Sequence, residues 1–315
     1  MATFMTGQAP DIYDSRQLVI YDTISKQDPH YYDKYMSVVS ATGRHVDSIR
    51  FSGLGVVQFK GEGSPIEFVA PVQGARRRTV ILTWALGYRV TMEAMMDPRF
   101  DVLDRQPADL ARSHHEHMEL QAAACLDDSF DGNIYTGLDG RPLIDTAHTF
   151  LNHPLGSATT ATNELSPGIP FGEEGLEAAL TNLMLTESEE GRKIGASLMK
   201  GLQVIHHPSI MHLVQKTLKT EYKTGGNFND VSVVATTQSG ITPLTVPHLN
   251  DADSWWLAPK PGVQGDDAAL KWHNRMSMTW IDPYTDNATR DRMYSALRRD
   301  AIEVTTWRGW VGSNV

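Results

Sequence analysis

The sequence predicts an α+β fold, and three observations support that prediction. Two segments rich in β-branched and aromatic residues, 48–59 and 78–91, flank a stretch that contains glycine, proline and serine, which is typical of two joined strands. Strong helix formers then continue from about Pro107 to about Leu126. Beyond residue 171, helical and strand-like segments follow one another. The chain therefore combines an extended two-stranded hairpin, a long helix and a mixed α/β portion.

The composition is that of a folded globular protein. Of the 315 residues, 41% are hydrophobic and 21% are charged, close to the globular average. No window approaches the run of about 18 apolar residues that a membrane helix needs. The formal net charge of −10 disfavours tight binding to nucleic-acid phosphates, because that affinity comes from lysine and arginine. The single cysteine, Cys125, excludes an intrachain disulfide and a CxxC motif.

The first two predicted elements lack an apolar core of their own. Residues 1–44 mix tyrosines with charges and show no sustained apolar period, so we expect an arm that becomes ordered on another surface. An isolated hairpin is only marginally stable in water, so the long hairpin should also lie against another surface. Both features suggest contacts between subunits.

The predicted long helix contains the stretch HHEHMEL (114–120), which raises the question of a metal site. A zincin helix requires HExxH, and the position of the second histidine is occupied by Glu119, so the motif fails. His114 and His117 share one helix face with Leu110, Met118, Gln121 and Cys125, whereas Glu116 and Glu119 should project elsewhere. Histidines that pack or hydrogen-bond at an interface are therefore favoured over metal ligands.

The second half of the chain carries clearer local patterns. Residues 172–186 predict an amphipathic helix with an acidic first turn. GLQVIHH (201–207) reads as a buried strand, and Pro208 opens a further helix. The stretches VSVVATT (231–237), LTVP (244–247) and SWWLAP (254–259) read as strands. The segment 288–300 is compatible with helix or strand.

Motifs for catalysis and nucleotide binding are missing from the sequence. His148 and His153 lie with Asp145 in a turn-rich region, but no GxSxG elbow is present to support a hydrolase. No Walker motif occurs, and the glycines near residue 55 do not form GxGxxG.

The order of these features is similar to that of the major capsid proteins of tailed bacteriophages, a fold first seen in a Hong Kong phage. The resemblance spans roughly residues 45–312. The stretches that carry it are LGYRVTMEAMMDPRFD, LARSHHEHMELQAAACLDDSFDG, DGRPLIDTAH, LQVIHHPSIMHLVQKTL and VPHLNDADSWWLAPKPG. No single motif is specific, but their succession in this order is.

The resemblance implies a division of the chain with approximate boundaries. The expected parts are an N-terminal arm (1–44), an extended hairpin or E-loop (45–92), a peripheral domain (93–170) with its spine helix at about 107–126, an axial domain (171–275), and a return to the peripheral domain with a C-terminal strand (276–315).

The resemblance also implies a structural function without catalysis, cofactor or metal. The subunit is expected to form pentamer and hexamer capsomers and to close an icosahedral head around double-stranded DNA, without sequence-specific binding and without a membrane. The expected location is the virion, after assembly in the host cytoplasm. A separate scaffolding protein or none, a portal and a decoration protein are the expected partners.

Nine residues are candidate contacts between subunits: Phe51, Phe59, Phe68, Arg76, Arg77, Arg78, Trp84, His114 and His117. The three arginines are expected on a loop before a strand, as donors of salt bridges. Some relatives join subunits through a lysine to asparagine bond. Lys60 is the only lysine of the hairpin, but no asparagine partner can be assigned to it.

Three alternatives stay open at this point. An encapsulin-like nanocompartment would share the fold and enclose enzymes. A metal-dependent hydrolase would use His114, His117, His148 or His153. A tail component would form tubes or small rings.

Overall fold

The computed structural model describes residues 9–26, 30–57, 59–66, 68–96, 104–156, 159–220, 240–263 and 268–315. The α-helices in these ranges are α1 (Ala9–Ser25), α2 (Met92–Met96), α3 (Arg105–Asp127), α4 (Glu173–Leu185), α5 (Gly195–Leu198) and α6 (Met211–Lys219). The strands are β1 (Ser37–Ser40), β2 (His45–Phe51), β3 (Gln73–Val80), β4 (Leu82–Val90), β5 (His148–Thr149), β6 (Thr160–Ala161), β7 (Leu202–His206), β8 (Thr242–Thr245), β9 (Trp255–Pro259), β10 (Leu270–Thr285), β11 (Arg292–Val304) and β12 (Val311–Ser313). Within these ranges no helix is long and apolar enough to span a membrane.

Two four-stranded sheets organise the subunit. The long sheet has the order β1-β10-β11-β4, in which β1 runs parallel to β10 and the other pairs are antiparallel. The central sheet has the order β12-β9-β7-β8, with a parallel β7–β8 pair. Two-stranded pairs β2–β3 and β5–β6 complete the pairing.

The two middle strands of the central sheet, β7 and β9, are covered on both faces. Successive strand side chains point to opposite faces, so Trp255 packs with helix α4 while Trp256 packs with helix α3. Val204 and Ile205 of β7 divide in the same way. All five residues of β7 and of β9 are buried. This layer therefore joins the two largest clusters of the core.

Helix α3 packs on the long sheet through a buried polar cluster. Arg298 of β11 is only 1% exposed and forms an ion pair with Asp300. Its guanidinium also contacts His117 Nδ1 and donates to Gln121 Oε1 at 3.3 Å. Trp84 Nε1 donates to Asp300 Oδ1 at 3.1 Å. The cluster thus fixes α3, β4 and β11 relative to one another.

Within the predicted N-terminal arm, residues 9–25 form helix α1. Tyr21 packs against Trp280 of β10 with ring centroids 5.0 Å apart, and Gln17 Oε1 accepts from the Tyr88 hydroxyl at 2.9 Å. Arg16 forms an ion pair with Asp104 before α3. These contacts are aromatic and polar, so tertiary packing stabilises the helix. The sequence of α1 therefore shows no clear apolar periodicity.

The hairpin is shorter than its prediction at its second strand. β2 pairs with β3 from His45 opposite Val80 to Phe51 opposite Gln73. Residues 82–90 form β4, which pairs with β11 in the long sheet. The predicted strand 78–91 therefore divides at Ile81, and its larger part belongs to the body of the subunit.

Other local predictions agree with the structure. The predicted helices 107–126 and 172–186 correspond to α3 and α4, and the strands 201–207 and 254–259 correspond to β7 and β9. The ambiguous segment 288–300 lies mostly in strand β11. Glu119, expected to project away, is buried and accepts from Tyr31 N at 2.8 Å. The predicted strand 231–237 lies outside the described residues.

We expect Arg298→Met to lower the free energy of unfolding by about 3–5 kcal/mol, because it leaves the Asp300 carboxylate buried without its cation. Combining it with Asp300→Asn should restore part of that loss, since no charge is then unpaired and Trp84 keeps an acceptor. Denaturant unfolding of unassembled subunits, followed by tryptophan fluorescence, measures both effects.

The matched control is Arg112→Met on the exposed side of α3, where Arg112 pairs with Asp109 at 3.4 Å. Surface pairs of this kind contribute less than about 1 kcal/mol. Equal losses for the Arg298 single variant and the double variant would contradict the charge argument.

Candidate functional site: the exposed hairpin

The hairpin projects a set of apolar side chains that its own subunit does not cover. Phe59 is 96% exposed and Phe68 is 91% exposed, and Phe51 at the end of β2 is more than half exposed. The other exposed large apolar side chains of this segment are Leu54, Val56, Val57, Ile66, Val69 and Val72. Several exposed apolar side chains within one segment point to an interaction site.

Hydrogen bonding closes the paired part of the hairpin at Ser52. Ser52 N donates to Val72 O at 2.9 Å, and Val72 N donates to Ser52 Oγ at 2.8 Å. Beyond this point the described residues up to 72 form no strand. Gly55 and Gly63 have positive φ values of 75° and 78°, which favour glycine. The apolar segment is therefore held at its base and extends from there.

The three arginines lie within strand β3, which corrects their predicted position on a loop. Arg76 and Arg78 both pair with Asp47 of the facing strand, at 2.5 Å and 2.8 Å. Hydrogen bonds from Arg78 and Arg76 hold the pKa of Asp47 well below its usual range. Arg77 Nη1 donates to Thr136 Oγ1 at 2.9 Å. Arg76 and Arg78 remain more than half exposed, so they are still available to a neighbouring subunit.

The other three candidate contacts lie inside the subunit rather than on the hairpin. Trp84 is half-buried and packs on His117 with ring centroids 4.6 Å apart. His114 is buried in the same helix face, and burial followed by the charge of Arg298 lowers its pKa to about 4. The same two causes lower the pKa of His117. His114 and His117 therefore take part in the packing of α3 on its own sheet, and their contact with a neighbouring subunit stays a prediction.

The histidines proposed for a hydrolase are held at different places. His148 Nδ1 lies 2.7 Å from Asp139 Oδ2, whereas His153 Nε2 lies 2.9 Å from Glu187 Oε2. Among the described residues, neither His148 nor His153 forms a hydrogen bond with His114 or His117 on α3. Among the parts of the chain that the structure describes, no group of three or more side chains could hold a metal ion.

An anchor at the base of the hairpin was missed by sequence reasoning. Arg50 of β2 pairs with Glu189 through Nε at 2.7 Å and Nη2 at 2.9 Å. Glu189 also accepts from Arg308 Nη1 at 3.0 Å. Three such residues far apart in sequence have no spacing that would reveal their contact, although ESEE (187–190) contains three glutamates in four residues.

Solved capsid structures share this fold at low sequence identity. The virus-like particle from Pyrococcus furiosus is 8% identical with a TM-score of 0.53, covering 96% of this chain and 99% of that one. The procapsid of bacteriophage JBD30 is 10% identical with a TM-score of 0.52, covering 99% and 76%. The mature capsid of bacteriophage PhiM1 is 10% identical with a TM-score of 0.55, covering 91% and 87%. No curated protein matches the sequence.

A family model matches most of the sequence and carries the assignment beyond fold. The model described as phage capsid protein matches residues 75–313, from strand β3 to strand β12. This match favours a phage capsid subunit over the encapsulin-like alternative, which would share the fold. The match also supports the predicted function, which is that of a structural protein of the capsid. The chain belongs to the phage capsid protein family and is a structural subunit of a capsid.

Proposed function

We propose that this capsid subunit forms pentamer and hexamer rings that close into an icosahedral head, with each hairpin lying on an adjacent copy. The exposed apolar side chains between Phe51 and Val72 are the observation that carries this proposal. Burying one phenylalanine contributes about 1.5–3 kcal/mol, and the hairpin offers several apolar groups at once. Heterologous contacts between identical subunits close into rings when their rotation permits.

The contents and partners of the head belong to the same proposal. We infer that the shell encloses double-stranded DNA without sequence-specific binding, and the net charge of −10 supports an interior that does not grip the genome. Assembly takes place in the host cytoplasm, and the product is the virion. A portal, a decoration protein and a separate scaffolding protein are partners that the family resemblance suggests. The absence of catalysis is likewise proposed from the structural role.

The division into domains is also a proposal, adjusted to the observed elements. The N-terminal arm comprises residues 1–44 and includes helix α1. The hairpin begins at residue 45 and its paired part ends at Val80. The peripheral domain contains α3 and the long sheet, and the axial domain is built on the central sheet with α4 and α6.

We expect the double variant Phe59→Ser/Phe68→Ser to abolish shell formation while leaving the unfolding free energy within about 0.5 kcal/mol of the wild type, because both side chains are exposed in the subunit. Size-exclusion chromatography with negative-stain electron microscopy of the chain expressed alone measures assembly. The control is Leu155→Ser, since Leu155 is 82% exposed at a site outside the hairpin.

Closed shells from the phenylalanine variant would refute hairpin docking. Tubes or small rings from the wild-type chain would instead support a tail component.

The exposed arginines are tested by a charge reversal that preserves the pairing inside the hairpin. In Asp47→Arg/Arg76→Glu/Arg78→Glu the cross-strand ion pairs keep their geometry with opposite signs. We expect folded subunits that assemble poorly, because the outward charge meeting a neighbour is inverted. Hydrogen exchange in β2 and β3 verifies the hairpin, and particle yield reports assembly. A wild-type yield would remove these arginines from the interface.

A further inference from the structure

The turn between helices α4 and α5 places three glutamates at three different contacts. The turn is closed by Ser188 N donating to Arg192 O at 2.8 Å and by Ile194 N donating to Thr186 O at 3.0 Å. Its glutamates are Glu187, Glu189 and Glu190. Glu187 holds His153 and Lys193, whereas Glu189 and Glu190 both hold the base of the hairpin. A single turn therefore connects the hairpin to the α4 side of the body.

Glu189 is held by several donors at once. Its two carboxylate oxygens accept from Arg50, from Arg308 and from Leu151 N at 2.9 Å. Burial alone would raise the pKa of Glu189, but the hydrogen bond from Arg50 and the charge of Arg308 outweigh it, so the pKa is lowered. Bidentate arginine–carboxylate pairs of this kind fix direction as well as distance.

Glu190 adds a second contact, three residues further along the hairpin than Arg50. Its Oε1 accepts the backbone N–H of Gly53, and its Oε2 accepts from Ser188 Oγ at 2.8 Å. A Cβ atom at Gly53 would lie 2.9 Å from Glu190 Oε1, so only glycine permits this approach without a shift. Two adjacent glutamates thus accept hydrogen bonds from Arg50 and Gly53.

The anchor continues into the core through a stack of planar groups. The Arg308 guanidinium lies 4.6 Å from the centre of the Trp307 ring. Trp307 in turn stacks on the buried His148 ring at 4.5 Å and 11°. Position is therefore transmitted from the hairpin to a rigid part of the subunit.

Beside these contacts the hairpin base borders a cavity and not a packed core. The cavity has a volume of about 630 Å³, and Ile49, Arg50 and Phe51 lie on its hairpin side. Trp307, Arg308 and Glu189 lie on its body side. At the edge of this cavity the hairpin base meets the body through the polar contacts of Arg50 and Gly53.

We propose that Glu189 is a positioning residue that sets the direction in which the hairpin leaves the subunit, and thereby the geometry with which it reaches its neighbour. The second clause rests on the proposed docking of the hairpin, whereas the first concerns the subunit alone. Without the anchor, the two-stranded hairpin has only marginal stability of its own.

The test compares Arg50→Ala with Arg76→Ala, two arginine truncations in the same hairpin. Arg50 reaches the body through Glu189 and Thr149, whereas Arg76 pairs only with Asp47 across the hairpin among its described contacts, and Arg78 retains that aspartate. Both are made in the Phe59→Ser/Phe68→Ser background, so that neighbours do not mask the effect. Hydrogen exchange by mass spectrometry is measured on peptides covering β2 and β3.

We expect Arg50→Ala to accelerate exchange in β2 and β3 at least tenfold while α3 and α4 keep their protection, and Arg76→Ala to change it less than threefold. Arg50→Lys, which keeps the charge but loses the bidentate geometry, should lie between them. In the otherwise wild-type chain, Arg50→Ala should give shells of uneven diameter or open fragments.

Unchanged hairpin exchange in Arg50→Ala would overturn the proposal, and so would acceleration spread evenly over the chain. The exchange measurement does not depend on docking. Normal shells from the Phe59→Ser/Phe68→Ser variant would refute the proposed docking and leave the role of Glu189 within the subunit intact.

Discussion

The packing of helix α3 on strand β11 is the contact on which the rest of the subunit depends. β11 pairs with β10 on one side and β4 on the other. Its alternate side chains, such as Tyr294 and Arg298, face the N-terminal helix and α3, and its last residues enter the main core. Because Arg298 is buried, a displaced helix would remove His117 and Gln121 from its guanidinium and leave buried donors without their acceptors, at a cost of about 1–3 kcal/mol each. The polar cluster therefore restricts the helix to one position on the sheet.

The hairpin is attached to the rest of the subunit at two points, one on each of its strands, and these two points determine its direction. Ile81 separates β3 from β4, packs with Ala41 and Ala301, and donates its N–H to Arg44 O at 3.0 Å. It thereby fixes the end of β3 to the long sheet. The proposed anchor at Glu189 restrains β2 at Arg50. One fixed point would leave a hairpin free to swing, whereas two points on separate strands define a direction. The apolar tip can then remain exposed without being randomly oriented.

The sequence predicted correctly those elements whose own residue pattern shows their buried faces. The long helix has an uninterrupted run of helix formers, and β9 alternates tryptophans between two buried faces. Helix α1 was missed because Gln17 and Tyr21 meet β4 and β10, whose positions no local pattern contains. Strand β11 stayed ambiguous because arginine and aspartate occupy buried positions and hide its period of two. Arg50 and Glu189 lie 139 residues apart, so only the folded chain brings them together. The sequence therefore identified the apolar residues of the hairpin tip, such as Phe59 and Phe68, and missed the ion pair between Arg50 and Glu189 at its base.

The proposed docking of the exposed tip also accounts for assembly of a subunit with apolar surface without aggregation. Two phenylalanines contribute about 3–6 kcal/mol on burial, while association costs about 4–15 kcal/mol in lost freedom of motion. The two phenylalanines alone therefore do not stabilise a pair of docked subunits, and the net charge of −10 opposes indiscriminate contact. In a closing ring the last contacts form within one particle, where the effective concentration is high and little further freedom is lost. Stability then belongs to the closed ring, and this favours correct closure over random pairing because only subunits whose hairpins leave in the same direction can complete it.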